Sequence, residues 1–410
     1  MNNRMLKKGT IFISLILILT FIFSVSASVP IGGDEDGKDI SDTDTGANGD
    51  IGTDASPVTL ECKSAILMEA QSGAILYAQN ENEPLPPASV TKVMTMLLCM
   101  EEIDSGRLSL TDTVTASAYA TSMGGSQIYL KEGEQMSVED MLKSVVIASA
   151  NDAAVALAEH ICGSEEAFVL RMNERARELG MKNTNFENTN GLDDTAQDHK
   201  TSALDIALMS RELMKHKKIF EYSSTWMDTI RNGEFGLTNT NRLIRYYKGA
   251  TGLKTGSTSK AGFCISATAE RDGVQLIAVI MGAESRDIRN ECAKKLFDYG
   301  FASYSIYTAP TFEAPPIPVT GGRESSVSVY ADGFFALVKK GGEKNVKAEA
   351  VLPEGLNAPI KSGDTVGEII YSLDGKEIGR SKIYAASDVE KISFTEVLRR
   401  MLSQFLLSPS

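Results

Sequence analysis

Between Val58 and Tyr304 the spacing of apolar residues changes twice, and this limits the folds open to the chain. The run "SAILMEAQSGAILYAQN" (64–80) reads as two short strands around a turn at Gln71-Ser72-Gly73. Residues 136–215 are then dominated by helical spacing, in "MSVEDMLKSVVIASANDAAVALAEHI", "SEEAFVLRMNERARELGM" and "TSALDIALMSRELMKH". Strand-like runs return at "ATGLKTGST", "GFCISATAE" and "VQLIAVIMG", the last two joined at Arg271-Asp272-Gly273. A helix over "RNECAKKLFDYGFASY" closes this part. Two strands in front, three behind and helices between predict one sheet built from both ends of a domain. Helices cover it, giving a two-layer or three-layer α/β arrangement with a helical insertion.

The flanks differ in kind. Arg4, Lys7 and Lys8 precede a 13-residue apolar run, "IFISLILILTFIF", and small residues follow at "VSA" (25–27). That is the pattern of a signal peptide over 1–27 and predicts export. The alternative, an uncleaved anchor, is disfavoured because a span needs about 20 apolar residues. Residues 28–57 read as an acidic, disordered linker, since the eight acids and one lysine of 31–57 cannot bury apolar area. They have no EF-hand spacing that would make them a metal loop. The main domain is expected over 58–308. After it comes a proline-rich passage, and 309–385 read as a small β domain of short runs such as "SVSVYADG" and "GEIIYSLDG". In the tail, 386–410, Val397, Leu398, Met401, Leu402, Phe405 and Leu406 share one helical face beside Arg399 and Arg400. That face either packs on the β domain or lies in a membrane interface.

The formal charge of −13 argues against a nucleic-acid partner, because phosphate binding needs clustered Lys and Arg. Five cysteines (62, 99, 162, 264, 292) form no C-x-x-C pair and no metal-ligand spacing. Cys99 and Cys264 sit in apolar runs and read as buried thiols. One disulfide could form, and the sequence does not choose it.

Within "PPASVTKVMTMLLCM" (86–100) the residues from Val93 on form a nearly all-apolar helix that opens with Ser89 and carries Lys92 one turn later. A lysine in a core is costly unless something uses it. At this spacing both side chains share a face. Burial and nearby positive charge lower a lysine's pKa, so Lys92 can take the serine's proton. Ser-x-x-Lys also recurs at Ser257–Lys260, so the pattern alone proves little. Ser149-Ala150-Asn151 lies between helical segments and on its own reads as a helix cap. Its hydroxyl could equally relay a proton and its amide hold a carbonyl. Lys254-Thr255-Gly256 opens a predicted strand, where the glycine lets a substrate backbone approach and the other two can hold a carboxylate. A lone tripeptide there is more simply a strand end.

Taken together, and in this order, S-x-x-K, S-x-N and K-T-G are the set of the penicillin-recognising serine acyltransferases. Residues 58–308 resemble the low-molecular-mass penicillin-binding proteins, specifically the serine-type D-alanyl-D-alanine carboxypeptidases of peptidase family S11. "GGSQIYLKEGE" (124–134), "FENTNGLDD", "TSALDIALMSREL" and "MGAESRDIRNECAKKLFDYGF" also resemble family segments in order. The resemblance implies a β-lactamase/transpeptidase-like α/β domain, with an antiparallel sheet flanked by helices, then a small all-β domain and a C-terminal amphipathic helix. It implies that Ser89 attacks a peptidoglycan stem peptide ending in D-Ala-D-Ala, with Lys92 as base. Ser149 and Lys254 move the proton to the departing D-alanine, and Asn151 positions the acyl side. The backbone N–H groups of Ser89 and Ser257 form the oxyanion hole beside Gly256. Thr255 binds the terminal carboxylate with Arg289, for which Arg286 is a nearby rival, while Gly124, Gly125 and Ser126 border the cleft.

β-Lactam antibiotics are the implied inhibitors, and the outer face of the cytoplasmic membrane, held through the tail helix, is the implied location. No cofactor or metal is implied. The family often has Gly where Ala150 stands, a small change. His160, His199 and His216 have no evident Ser/Asp partners, which disfavours a Ser-His-Asp triad. A class A β-lactamase would need an E-x-x-L-N segment after S-x-N, and Glu234–Asn239 has one residue too many. A D,D-endopeptidase acting at the same site stays open, and a silent peptidoglycan-binding protein would predict a broken motif.

Overall fold

The computed structural model describes residues 58–193 and 196–407. The signal peptide and the acidic linker read from sequence lie outside the described residues.

Five strands form the central sheet: β1 (Ser64–Glu69), β2 (Ile75–Gln79), β3 (Ala250–Thr258), β4 (Gly262–Arg271) and β5 (Val274–Ala283). They are all antiparallel, in the order β2-β1-β5-β4-β3. Both ends of the domain thus meet at the β1–β5 pairing, where Ala65 lies opposite Ile280 and Leu67 opposite Ala278.

Side-chain alternation assigns the two faces. Ala65, Leu67, Ala278 and Ile280 pack with Leu296 and Phe297 of α5 (Arg286–Ser303). Ile66, Met68, Val279 and Met281 pack toward α1 (Lys92–Asp104) and α4 (Ala203–Leu213). With both faces covered the arrangement is three-layered, which is why the central strands read as unbroken apolar runs rather than as alternating ones. The helical insertion adds α2 (Asn151–Cys162) and α3 (Glu165–Glu178).

Local chemistry sets the corners. Glu69 closes the first hairpin by accepting the backbone N–H groups of Gln71 and Ser72 and the Ser72 hydroxyl. At the β4–β5 turn, Asp272 and Gly273 take φ of 51° and 80°, the two left-handed positions of a tight type I′ hairpin. α3 and α5 each start at a serine, Ser164 and Ser285, whose hydroxyl accepts an N–H of the first turn.

Beyond α5, the strand Tyr304–Thr308 pairs with Phe335–Lys339. A four-stranded sheet and a three-stranded one follow, with small apolar clusters around Ile317 and Val389 and around Ile369 and Ile383. Phe334 stacks on Tyr371 at 3.8 Å between centroids. The last helix, α6 (Phe394–Leu407), is held at its start by ion pairing of Arg323 with Glu396 and by Arg400 donating to the Arg323 carbonyl. Among its described residues the large apolar side chains are exposed, Phe394 by 81% and Met401 and Leu402 by 53%. Of the two sequence readings of the tail, packing on the β domain is the one this exposure disfavours.

Candidate active site

Ser89 lies in a short 3-10 turn, Ala88–Thr91, that feeds directly into α1. α1 is buried on all sides through Met100, so Lys92, in its first turn, points into a closed interior at 0% exposure. Its Nζ lies 3.0 Å from Ser89 Oγ, 2.6 Å from Asn151 Oδ1 and 2.8 Å from the Asn190 carbonyl. Burial, and then the charge of Lys254, hold the Lys92 amine well below its usual pKa, with Asp152 opposing. A neutral amine has two N–H bonds and one lone pair. Asn151 Oδ1 and the Asn190 carbonyl satisfy the N–H groups, which leaves the lone pair for the Ser89 hydroxyl proton. The geometry therefore provides a base already aimed at its nucleophile.

Ser149 is not the N-cap of α2. It follows a five-residue π-turn, Ser144–Ala148, and adopts φ 65°, while the cap position of α2 falls on Ala150 without a side-chain bond. A non-glycine residue in the left-handed region beside a π-turn is a local cost often found at functional sites. Here it turns Ser149 toward the cleft and starts α2 at Asn151, whose amide donates to the Gly124 carbonyl and so fixes the 124–126 loop. Asp152 holds the same loop by accepting from Ile128 and Leu130 N–H.

Lys254-Thr255-Gly256 lies within β3, not at its start as the sequence suggested, and β3 is an edge of the sheet. Lys254 is 1% exposed, and burial plus the charge of Arg289 pull it down to about 7. Thr255 Oγ1 donates to Thr240 Oγ1 at 2.8 Å. Gly256 has a structural role beside the expected approach of substrate backbone. A Cβ there would lie 2.7 Å from the Ser89 nitrogen and 2.9 Å from the Pro87 carbonyl oxygen. The glycine admits the nucleophile's own turn against the strand. Arg289 is buried, bonded to Asn290 Oδ1 and the Cys264 carbonyl, and held at about 10 by burial and by the neighbouring charge of Arg286.

A cleft of about 700 Å³ collects Ser89, Ser149, Thr255, Gly256, Ser257 and Arg289. No acidic side chain lines it among the described residues. Lys92, Lys254 and Asn151 are buried in the adjoining walls. Every site residue expected from sequence is thus at or directly behind one cleft.

Several contributors carried no readable signal. Asn190 acts through a main-chain carbonyl, which any residue supplies. Thr240, Arg242, Tyr246 and Trp226 form a cleft wall from a segment without a motif. His199, expected to be idle, accepts the Glu187 N–H on Nδ1, so its Nε2–H faces Thr91 Oγ1 at 2.7 Å, two residues from the nucleophile. Burial lowers it to about 4, so it stays neutral and steadies the turn rather than carrying protons.

Residues 51–285 match the family model described as D-alanyl-D-alanine carboxypeptidase, and residues 313–391 match that of the penicillin-binding protein 5 C-terminal domain. The D-alanyl-D-alanine carboxypeptidase DacF of Bacillus subtilis is 41% identical over 363 residues, covering 86% of this chain and 92% of the relative. DacC of Escherichia coli is 35% identical over 347 residues, covering 82% of this chain and 86% of the relative. Among solved structures, penicillin binding protein 5 of Haemophilus influenzae superposes with a TM-score of 0.69 at 32% identity, covering 82% of this chain and all of that one. With over half its length matched and such a relative spanning both domains, the chain belongs to the D-alanyl-D-alanine carboxypeptidase family of serine hydrolases and has the fold of penicillin-binding protein 5.

Proposed function

We propose that the protein is a D,D-carboxypeptidase that removes the terminal D-alanine from peptidoglycan stem peptides through an acyl-enzyme on Ser89. The observation that carries this reading is the desolvated Lys92 amine 3.0 Å from Ser89 Oγ. Ser89 Oγ forms a bond to the carbonyl carbon of the penultimate D-alanine while its proton passes to Lys92 Nζ. The oxyanion is held by the N–H groups of Ser89 and Ser257. As the C–N bond breaks, the departing nitrogen receives a proton through Ser149, with Lys254 beside it. Asn151 holds the acyl carbonyl, and Thr255 and Arg289 hold the terminal carboxylate. Water then attacks the ester, and the Cα-carboxylic product leaves as the proton returns to Ser89.

A strained β-lactam enters the same first step and leaves a slower ester. The absence of an acidic side chain from the described cleft lining supports slow release, because a class A β-lactamase uses a glutamate to activate the hydrolytic water.

The reading places the enzyme outside the cytoplasmic membrane, exported by residues 1–27 and resting on the lipid surface through α6. The exposed Phe394, Leu398, Met401 and Leu402 support an interfacial position. No helix among the described residues is long and apolar enough to cross a bilayer. The test is release of D-alanine from diacetyl-L-Lys-D-Ala-D-Ala by the mature protein. Turnover that disappears in Ser89→Ala supports the reading, and turnover that persists in the variant contradicts it.

A further inference from the structure

The cleft holds more positive charge than its assigned substrate uses. Under the reading above, Thr255 and Arg289 take the single carboxylate of a departing D-alanine. Two further arginines, Arg242 and Arg286, line the same cleft. Both act on Arg289 as neighbouring positive charges and help to depress it. Neither side chain makes a hydrogen bond or ion pair with a described residue, although Asp287 follows Arg286 directly. A buried guanidinium with two more acting on it, in a cleft lined by no acid among the described residues, calls for a ligand with more than one negative charge.

Their position says which part of the substrate that is. The segment carrying Arg242 is tied to the two groups that handle the leaving side. Thr255 Oγ1 bonds Thr240 Oγ1, and the Thr240 N–H bonds the Ile147 carbonyl in the π-turn leading to Ser149. The acyl side lies elsewhere, along Asn151 and the 124–126 loop it holds. The wall continues past Arg242 into Trp226 and Tyr246, with the Arg245 guanidinium stacked 5.5 Å from the Trp226 ring. The leaving side is thus extended as well as basic.

We propose that Arg242 and Arg286 form a second carboxylate subsite on the leaving-group side of the cleft, selecting substrates whose departing portion carries two carboxylates. This rests on the carboxypeptidase reading and deepens it. The shared chemistry is a dicarboxylic leaving group. It is supplied either by a terminal D-dicarboxylic residue or by the acceptor stem of a cross-linked peptide, whose amine departs with more than one carboxylate attached.

The test compares kcat/KM for diacetyl-L-Lys-D-Ala-D-Ala, for the same peptide ending in D-Ala-D-Glu, and for a purified cross-linked stem dimer. Wild type and the Arg242→Gln/Arg286→Gln double variant are measured. Both arginines are exposed, so the variant keeps the fold. The expected result is a wild-type preference for D-Glu over D-Ala of about 10-fold or more, expressed mainly in KM, that collapses in the double variant. If the D-Glu peptide alone is preferred, the subsite serves terminal residues; if the dimer is preferred, it serves acceptor stems. A wild type that prefers neither the D-Glu peptide nor the dimer over the D-Ala-D-Ala peptide overturns the proposal. So does a variant that loses both peptides equally, which would assign all the arginines to one carboxylate. Failure of the wild type to cleave any substrate or to be acylated by benzylpenicillin would instead overturn the carboxypeptidase reading itself.

Discussion

Lys92 and Lys254 are shut away at 0% and 1% exposure, whereas Phe394 at the start of the tail helix stands at 81%. The catalytic domain therefore buries what water would stabilise, and the C-terminal helix exposes what water disfavours. Each inversion is costly in isolation, and each has a use. In the cleft, desolvation lowers the Lys92 pKa and so favours the neutral amine that can accept a proton. On the tail, exposed leucine and methionine are the area that the proposed interfacial position would use. Under the proposed function, the working parts lie where residue type and burial disagree.

The largest effect that could break this comparison is in the cleft. Lys92→Met keeps the volume and removes the base, and acylation by benzylpenicillin is expected to slow by about 10³- to 10⁴-fold. A stopped-flow acylation rate within tenfold of wild type would mean that the buried amine is structural only. Next is the tail. Removal of residues 394–410 should cut sedimentation with anionic lipid vesicles by tenfold or more. The same truncation should leave kcat/KM on a soluble peptide within about twofold. Equal losses in both assays would show that the helix supports the fold instead.

A smaller effect separates the carboxylate clamp from the base. Arg289→Ala should lower kcat/KM for the D-Ala-D-Ala peptide by about 10- to 100-fold, the worth of a charge-assisted hydrogen bond. The smallest expected effect is on stability. Lys254 has a pKa of about 7 when folded against 10.5 in the unfolded chain, so between those values the unfolded state binds more protons. Its burial therefore weakens the fold fully below pH 7, and the penalty fades as pH rises toward 10. Relative to wild type, Lys254→Met should be most favourable in urea unfolding at pH 6–7 and lose that advantage by pH 10. A pH-independent difference would contradict the depressed pKa.

Much of this was legible in the sequence because side chains carry it. The strand pairs showed in short apolar runs and turn residues, the Arg271–Gly273 hairpin in its Asp-Gly step, and the Ser89–Lys92 pair in an unexpected lysine one turn after a serine. What stayed hidden depends on backbone or on distance. The Asn190 carbonyl that fixes Lys92 has no residue signature. The left-handed Ser149 arises from a π-turn that helical spacing cannot distinguish from an α-helix. That Gly256 also makes room for the Ser89 turn, 167 positions earlier, is a contact that only the folded sheet reveals. The tail's apolar face was plain from its spacing, and the exposure of its described part disfavours packing on the β domain.

The most direct test of the central claim is the intact mass of the mature protein followed over hours after addition of benzylpenicillin, with Ser89→Ala in parallel. A one-to-one adduct that persists for minutes or longer and is missing from the variant is the predicted result. An adduct in the variant, or drug consumed many times over without a lasting adduct, would contradict it.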